Sequence, residues 1–275
     1  LSVTINEEGT VWFCHHCDWK GSYFVNNDRM YIPKQKTYVK PDAPVINKNQ
    51  DMYDYFNKRG ISKATVDAFE IFEEKGWYGF QYFNTEGELE NIKYRNKQKN
   101  FRQSQGAKQI LYNYKTIAKE NTVVFVEGEM DVLSVSETGY KATSLANGAG
   151  KVAKFNPKDS RFKALENCPL LARKIIIFTD NDVAGKALHK ELLHRFGKDI
   201  CWFVRVPENC KDANDVLVKL GKDKLKQILD EAEPYPIDGL YRANDYYTQV
   251  QDLYDGNYEK PIEIGLKGLD DIYKI

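Results

Sequence analysis

The central part of the chain alternates short apolar runs with amphipathic stretches. Because fully apolar strands that alternate with helices are typical of a parallel sheet covered on both faces, residues 121–232 are predicted to form an α/β domain. The predicted strands are 122–126, 142–145, 174–178 and 200–206.

A different pattern precedes this domain. Residues 51–73 carry apolar side chains at helical spacing, with a break at Gly60 and a suitable N-cap at Ser62. Residues 51–120 are therefore predicted to form a small α+β subdomain. Two strand-like segments joined by turn residues complete it, at 79–83 and 89–94.

The two ends of the chain differ from its middle. Residues 1–25 have the alternation of short strands around a Cys-x-x-Cys pair. Residues 26–50 are polar and contain three prolines, which is typical of a linker. Residues 233–275 combine a Pro-x-Pro segment with an acidic helical stretch, and we expect them to lead to a further domain.

The composition excludes a membrane-spanning segment, because the apolar runs are far shorter than the roughly 20 residues that a bilayer helix needs. Five cysteines in 275 residues do not make a disulfide framework and favour a reducing compartment. Forty basic and forty acidic side chains give zero formal charge. Any preference for nucleic acid must therefore come from an uneven distribution of charge.

Acidic residues follow three of the predicted strands. The carboxyl ends of parallel strands lie at one edge of a sheet, where ligands bind. Two carboxylates that meet there at about 4 Å would repel by about 4 kcal/mol, and hard divalent cations such as Mg²⁺ or Mn²⁺ neutralise such a site. The pattern therefore predicts a metal site for phosphate chemistry, the alternative being solvated or helix-capping carboxylates. The acidic clusters are 127–131, 180–182 and 211–215.

A basic stretch forms the C-terminal part of the predicted α+β subdomain. Residues 93–119 contain eight basic side chains and no acidic one. Aromatic residues are interleaved with these charges and could stack with unpaired bases at roughly 1–3 kcal/mol each. The stretch predicts single-stranded nucleic-acid binding, the alternative being a solvated basic face whose aromatic residues belong to the core. The aromatic residues are Tyr94, Phe101, Tyr112 and Tyr114.

Cys14 and Cys17 form a possible half of a zinc site. Structural zinc requires four closed ligands, and the other cysteines lie far away in sequence. Zn²⁺ is therefore possible at a site that is incomplete in this chain. The remaining cysteines are predicted to be buried apolar residues; they are Cys168, Cys201 and Cys210.

The acidic clusters resemble the motifs of the TOPRIM fold, which primases, topoisomerases and some nucleases share. The stretches 92–95, 99–102 and 110–112 resemble the segment that precedes this fold in phage primase-helicases and Twinkle. Residues 144–149 resemble a family loop or, equally, a tight turn. The resemblance implies a parallel TOPRIM sheet flanked by helices, preceded by the small α+β subdomain and a partial zinc ribbon.

The resemblance also implies roles for individual residues. Glu127 would act as the general base or acid, Asp131 would support the site, and Gly185 would let the following helix pack closely. The implied catalytic residues and Mg²⁺ ligands are Glu127, Asp180, Asp182 and Asp212. The implied contacts to template or nucleotide phosphates are Lys93, Arg95, Lys99, Arg102 and Lys211.

On this resemblance the chain is expected to be a DNA primase that makes short oligonucleotides on single-stranded DNA from nucleoside triphosphates. It would be the N-terminal part of a primase-helicase, with 233–275 as a linker helix, a helicase domain in cis, and a ring oligomer when the helicase is present. The implied location is the cytoplasm of the bacterial host of a phage or prophage, the alternative being the mitochondrial matrix or another organelle. The alternative functions are a non-catalytic single-stranded-DNA-binding module of a Twinkle-like helicase and a TOPRIM nuclease.

Overall fold

The structure is a computed structural model that divides the chain into two units, Leu1–Tyr235 and Pro236–Ile275. The first unit contains three sheets and the helices that pack on them, and the second contains one helix. The residues that the structure describes are 2–6, 9–13, 20–24, 30–31, 37–148, 159–236, 239 and 246–257.

Four short antiparallel strands form the first sheet. They are β1 (Ser2–Asn6), β2 (Gly9–Phe13), β3 (Lys20–Phe24) and β4 (Met30–Tyr31). The last of them falls inside the predicted linker 26–50. Cys14 and Cys17, the predicted half of a zinc site, lie outside the described residues.

Two helices open the predicted α+β subdomain, α1 (Gln50–Asn57) and α2 (Lys63–Ala68). The predicted break and cap between them are confirmed. Gly60 has a φ of 73°, which favours glycine. The Ser62 side chain accepts a hydrogen bond from Thr65 N at 3.2 Å and so satisfies a backbone N–H at the start of α2.

The second sheet is antiparallel. Its strands are β5 (Phe72–Glu74), β6 (Trp77–Phe83), β7 (Leu89–Asn96) and β8 (Phe101–Gln103), in that order. The predicted hairpin corresponds to β6 and β7. Residues 72–73 were predicted to be helical and instead form part of β5, because Phe72 pairs with Gly79 and its ring occupies the space beside that glycine.

The third sheet is the predicted parallel one, in the order β10-β9-β11-β12-β13. The α/β fold class is confirmed, with β13 as an antiparallel addition to the edge strand β12. Its strands are β9 (Thr122–Val126), β10 (Ala142–Ser144), β11 (Lys174–Phe178), β12 (Cys201–Phe203) and β13 (Glu233–Pro234). Its helices are α3 (Tyr114–Ile117), α4 (Glu129–Ser136), α5 (Lys163–Asn167), α6 (Val183–Phe196), α7 (Ala213–Leu220) and α8 (Lys222–Asp230).

Three adjacent strands, β10, β9 and β11, end at the same level. Val126 at the end of β9 pairs with Phe178 at the end of β11 on one side and with Ser144 at the end of β10 on the other. These strands are almost completely buried, and each fully buried large apolar side chain contributes roughly 1.5–3 kcal/mol relative to exposure. The sheet therefore holds the loops after these strands at one rigid edge.

The cysteines of the first unit contribute to its core. Cys168, Cys201 and Cys210 are buried and free, as predicted for small apolar side chains. In the described part of the chain, the helices are too short or too polar to cross a bilayer.

The second unit contains helix α9 (Tyr247–Asp255). Its apolar side chains, which the sequence places at helical spacing, are exposed within this unit. They include Tyr247, Val250, Leu253 and Tyr254.

Candidate active site

The predicted acidic clusters meet at the carboxyl edge of the parallel sheet. Glu127 follows β9, Asp180 follows β11, and Asp212 precedes α7. The electrostatic influence of these groups reaches across the loops, because Asp180 raises the pKa of Glu127 and Asp212 raises the pKa of Asp180. The structure therefore brings together residues that lie 53 and 32 positions apart (180 − 127 and 212 − 180).

Glu127 has a carboxyl group in a strongly anionic setting. Its pKa is raised to about 7, mainly by burial and then by the neighbouring carboxylates of Asp180 and Asp182. Its Oε2 atom is buried and has no hydrogen-bond partner among the described residues. A carboxylate in this environment is poised to exchange a proton or to accept a positively charged ligand near neutral pH.

Asp131 lies in the first turn of α4 and faces the same edge. Burial raises the pKa of its carboxyl group well above the usual range, and Asp212 and Asp180 raise it further. Its Oδ1 atom accepts a hydrogen bond from Asn214 N at 3.1 Å. Asp131 thus joins α4 to the start of α7 and adds to the negative potential of the site.

The Asn214 side chain connects three segments next to the acidic residues. Its side-chain Nδ2 donates to the Arg59 carbonyl oxygen at 2.8 Å and to Ser134 Oγ at 2.9 Å. The α7 start, helix α4 and the loop after α1 are therefore tied together by one amide. Asn214 cannot be recognised from the sequence, since its partners lie 80 and 155 positions away.

Two carboxylates in the loop after β11 contact one cation in the loop before α7. Lys211 Nζ lies 2.8 Å from Asp180 and 3.2 Å from Asp182. A backbone bond from Asn181 N to Lys211 O, 2.7 Å long, fixes the two loops to each other. Burial nevertheless raises the pKa of Asp180, and this effect exceeds the lowering by Lys211.

Asp182 and Asp212 also cap helices. Asp182 accepts a hydrogen bond from Gly185 N at 2.9 Å, and this bond is the main reason why the pKa of Asp182 is lowered. Asp212 accepts from Asp215 N at 2.7 Å. The capping alternative therefore holds for these two residues, yet each keeps a position beside the other carboxylates.

Gly185 permits the close approach of α6 to the acidic loop. A Cβ atom at this position would lie 2.7 Å from the carbonyl carbon of Asp180 and closer still to its oxygen. Such contacts do not occur in real structures, so a larger residue would displace Asp180. The contact agrees with the role that the family resemblance implies for this glycine.

The donor set fits a hard divalent cation. Several carboxylates raise one another's pKa, and the unpartnered Glu127 Oε2 lacks a positive or donor group. Across the residues that the structure describes, no group of three or more His, Cys, Asp or Glu side chains is placed so that it could hold a metal ion by itself. This is compatible with Mg²⁺, which is usually held by one or two carboxylates together with water and substrate phosphates.

The acidic residues at the edge of the parallel sheet line one wall of a cleft. Strands β7 and β8 of the antiparallel sheet form the opposite wall. Lys93 Nζ contacts both carboxylate oxygens of Glu129, at 2.8 and 2.9 Å, and the Tyr82 hydroxyl donates to the same carboxylate. Lys93 and Glu129 are 8% and 4% exposed. This buried ion pair fastens the antiparallel sheet to the start of α4.

The pair changes how two predicted residues are understood. Glu129 belongs to the acidic cluster 127–131, but its charge is satisfied within the protein. Lys93 was predicted to contact phosphates, and in the structure its ammonium group is held by Glu129. The role of Lys93 toward phosphates stays a prediction, and the partnership with Glu129 was missed because 36 residues separate the two.

Arg95 and Phe101 face each other across β7 and β8, in register. Arg95 Cζ lies 5.6 Å and Lys93 Nζ 5.1 Å from the centre of the Phe101 ring. Beside them, Gln103 Nε2 donates to the Ala146 carbonyl oxygen at 3.2 Å. These contacts connect the wall to the loop after β10.

The remaining predicted basic residues lie apart from this wall. Lys99 is exposed in the turn between β7 and β8, with a φ of 65°. Arg102 packs over Tyr94 and Trp77, with its Cζ 4.4 and 4.7 Å from the ring centres. Side chains alternate along a strand, so Arg102 points to the sheet face opposite Arg95 and Phe101.

The aromatic residues of the basic stretch differ in solvent exposure. Tyr112 and Tyr114 are 1% and 8% exposed, so for them the core alternative holds. Tyr94 is half-buried. Phe101 keeps a large accessible surface.

The two walls enclose a cleft of about 380 Å³. Its volume lies within the usual range of small-molecule sites, about 300–1,000 Å³. The cleft combines carboxylates on one side with an arginine and an aromatic ring on the other. Its lining includes Arg95, Phe101, Glu127, Asp131 and Asn147.

Comparisons with known proteins agree with this architecture. The family described as Toprim-like matches residues 124–217. The chain is 35% identical over 245 residues to the Twinkle homolog protein, chloroplastic/mitochondrial, of Arabidopsis thaliana, covering 82% of this chain and 34% of that protein. It is also 35% identical over 205 residues to the primase homolog protein of Arabidopsis thaliana, covering 68% of this chain and 60% of that protein.

Among solved structures, the chain is similar to the crystal structure of the primase fragment of the bacteriophage T7 primase-helicase protein. The TM-score is 0.53 with 21% identity, covering 80% of this chain and 92% of that fragment. At this identity the likeness shows the fold. The chain spans 34% and 60% of the lengths of the two Arabidopsis relatives.

Proposed function

Because the chain is the TOPRIM-type primase portion of a Twinkle-like protein, we propose that it synthesises short primers on single-stranded DNA by metal-dependent nucleotidyl transfer. The observation that carries this proposal is the cleft itself. Glu127, with its raised pKa and unpartnered oxygen, faces a wall that presents Arg95 and Phe101.

In the proposed reaction, the 3′-hydroxyl of one nucleotide attacks the α-phosphorus of a nucleoside triphosphate. A new P–O bond forms, the bond to the β-phosphate oxygen breaks, and pyrophosphate leaves. Glu127 accepts the proton of the attacking hydroxyl, and its pKa of about 7 suits a general base near neutral pH. Asp131 is held by Asn214 and orients the first turn of α4 beside Glu127.

Toprim domains and primases generally use Mg²⁺, and the residues that would hold it here are Glu127, Asp180, Asp182 and Asp212. When bound, Mg²⁺ or Mn²⁺ would supply positive charge for the attacking and leaving oxygens. Lys211 contacts Asp180 and Asp182 and offsets part of their negative charge. Arg95 and, at the exposed turn, Lys99 are proposed to contact nucleotide or template phosphates.

The wider setting of the protein is also a proposal. The Arabidopsis Twinkle homolog is, by its name, a chloroplastic and mitochondrial protein. We propose that this chain acts where DNA is replicated, either in such an organelle or in the cytoplasm of a phage host. We further propose that it works in cis with a helicase domain, in a ring oligomer.

A priming assay tests the catalytic proposal. The chain is incubated with single-stranded DNA, labelled nucleotides and Mg²⁺ or Mn²⁺, and oligonucleotide products are resolved on a gel. The parent should make metal-dependent oligomers, and Asp180→Asn should make none. The matched control is Asp230→Asn, which removes a carboxylate on the exposed side of α8, where Asp230 pairs with Lys226 at 2.7 Å.

The other outcomes identify the alternatives. A parent that binds DNA but yields no oligomers with either metal would point to a non-catalytic binding module. Shortening of the DNA would point to a nuclease.

A further inference from the structure

His189 is a partly buried histidine in the second turn of α6 that the proposed reaction does not use. Its Nδ1 atom lies 3.4 Å from Thr179 Oγ1, and its Nε2 atom forms a hydrogen bond with the Tyr235 hydroxyl group. Burial lowers the pKa of His189, so the neutral ring has one N–H donor and one acceptor nitrogen. Because a hydroxyl group can donate or accept, both ring nitrogens are satisfied between these two residues.

Thr179 is the residue between strand β11 and the Asp180 carboxylate. It is 6% exposed, although a cavity of about 200 Å³ adjoins Thr179, Asp180 and His189. Packing therefore leaves the Thr179 side chain room to move on that side, and the contact with His189 fixes its orientation. Because Thr179 and Asp180 share a planar peptide group, a rotation of one displaces the other.

The backbone after Thr179 contacts the rest of the acidic site. Burial raises the pKa of Glu127, and a hydrogen bond from the Asp180 backbone opposes this effect. The next residue, Asn181, donates its N–H to the Lys211 carbonyl oxygen at 2.7 Å. Fixing Thr179 therefore also fixes the backbone that faces Glu127 and the loop before α7.

Tyr235 connects the same imidazole to the edge of the parallel sheet. Its N–H donates to the Cys201 carbonyl oxygen at 3.2 Å. Its ring centre lies 5.1 Å from that of Phe203 and 5.7 Å from that of His189. Cys201 and Phe203 belong to β12, and Tyr235 is the last residue of the first unit. The imidazole therefore joins the loop after β11 to the end of this unit.

We propose that His189 is a positioning residue that holds Thr179 and thereby keeps Asp180 beside the other carboxylates, with Tyr235 fixing the imidazole. This inference rests on the proposed function for the role of Asp180. It deepens that function, because it makes the cation site respond to the end of the first unit. A displacement of Tyr235 then weakens the binding of a divalent cation at Asp180.

Calorimetric titration of Mn²⁺ tests this role without priming. His189→Leu removes both ring nitrogens and should weaken Mn²⁺ binding about 5- to 30-fold, at or below the usual effect of residues that hydrogen-bond directly to a metal ligand. His189→Asn keeps an amide group at the position of Nδ1, so it should stay within about threefold of the parent. His194→Leu, the same substitution at an exposed position of α6, should bind Mn²⁺ like the parent.

Thr179→Val provides a second variant with nearly the same shape but no hydroxyl group. It should weaken Mn²⁺ binding about as much as His189→Leu does. Because both substitutions remove the same contact, the double substitution should add little to either loss. Additive losses, or equal losses in His189→Leu and His189→Asn, would overturn the positioning role.

Native-state hydrogen exchange measures the loop in the absence of metal. The Asn181 amide, which bonds to Lys211, should exchange at least about threefold faster in His189→Leu and in Tyr235→Phe than in the parent. The matched control is Tyr140→Phe, which removes a hydroxyl group that contacts Asp230 at 2.7 Å and should leave this amide unchanged. An unchanged Asn181 amide in Tyr235→Phe would overturn the link to Tyr235.

The Mn²⁺ titrations separate this inference from the primase proposal. If His189→Leu weakens Mn²⁺ binding and the parent makes no primers, the positioning role stands and the primase proposal fails. If the parent makes primers and His189→Leu binds Mn²⁺ like the parent, the primase proposal stands and the positioning role fails.

Discussion

The two walls of the cleft differ in how far their charged side chains are paired within the protein. On the wall of β7 and β8, the Lys93 ammonium group is held by the buried carboxylate of Glu129. On the wall of the parallel sheet, burial and the neighbouring Asp180 raise the pKa of Glu127, burial and Asp212 raise the pKa of Asp180, and Lys211 offsets part of both effects. Charges that are satisfied internally hold the fold, whereas unsatisfied charges remain available to a ligand.

The contrast is sharpest between Glu127 and Glu129. The two glutamates are two residues apart, yet the first has an unpartnered oxygen and the second has a lysine and a tyrosine. The difference arises because Glu127 is in the loop after β9, while Glu129 begins α4 and reaches the antiparallel sheet. We therefore expect substitutions on the two walls to affect different properties of the protein.

The largest effect is expected for Glu127→Gln. The amide has nearly the same shape but cannot accept the proton, so the rate of primer synthesis should fall about 10²- to 10⁴-fold. Initial rates of labelled dinucleotide formation measure this loss. Glu86→Gln alters an exposed carboxylate in the hairpin turn and should keep the parent rate. A Glu127→Gln rate within tenfold of the parent would remove Glu127 from the role of base.

Glu129→Ala should reduce stability more than any substitution on the other wall. It leaves the buried Lys93 ammonium group without a partner, which typically costs about 3–5 kcal/mol. Urea denaturation measures the change. The control Lys226→Ala breaks an exposed pair and should cost at most about 1 kcal/mol. The double substitution Lys93→Met with Glu129→Leu should recover stability, and no recovery would contradict this account of the pair.

Gly185→Ala tests the contact between α6 and the acidic loop. Alanine normally favours a helix, but here its Cβ atom would overlap the main chain of Asp180. We expect a loss of about 1–3 kcal/mol in urea denaturation, together with weaker Mn²⁺ binding. Lys190→Ala, at an exposed position of the same helix, should change stability by less than about 0.5 kcal/mol. If the two variants are equally stable, the loop at Asp180 can shift without cost and the close contact does not constrain it.

The pH dependence follows from the raised pKa of Glu127. Its base form is required, so the rate of priming should fall as the pH is lowered through the pKa of Glu127. This pKa is about 7 without metal, and a bound cation shifts the fall to lower pH. The free energy of unfolding should change with pH in the opposite direction. The pKa of Glu127 is raised from 4.5, so its contribution is complete below pH 4.5 and is lost as pH rises through 7.

Parallel urea titrations of the parent and Glu127→Gln, with a chelator present, measure the stability part. The parent should lose stability relative to the variant between pH 4.5 and 7. Parallel curves over this range would indicate that Glu127 titrates as it does in the unfolded chain.

The smallest effect is expected for Lys211→Met. Removing this ammonium group from Asp180 and Asp182 should let Mn²⁺ bind about three- to tenfold more tightly, because one repulsive charge is lost. Calorimetric titration of Mn²⁺ measures the affinity. Lys219→Met removes a cation that pairs with Asp215 at 3.0 Å and should change the affinity less. A weaker site in Lys211→Met would mean that the lysine organises the loop rather than competing with the metal.

The sequence predicted the parallel sheet well. β9 and β11 have the predicted bounds because both are runs of buried β-branched and aromatic residues, with turn or acidic residues directly after them. The α+β subdomain was predicted less completely. β5 and β8 are three residues long and carry charged side chains, so neither length nor alternation identifies them.

The limits of sequence reasoning at the site have a physical cause. The sequence shows which carboxylates directly follow parallel strands, and this predicted which of them would lie close together. They could not predict that Glu129 would turn away to meet Lys93, since that contact depends on how two sheets pack. For the same reason the sequence could not separate Phe101, which stays accessible, from Tyr112, which is buried.

The level ending of β9, β10 and β11 makes the chemistry sensitive to insertions. One extra residue in β11 would advance the loop by about 3.3 Å and turn each following side chain to the other face. Asp180 would then point away from Glu127, although the hydrophobic content of the strand would hardly change. Chains with this architecture should therefore tolerate exchanges of one apolar residue for another in these strands far better than changes in their length.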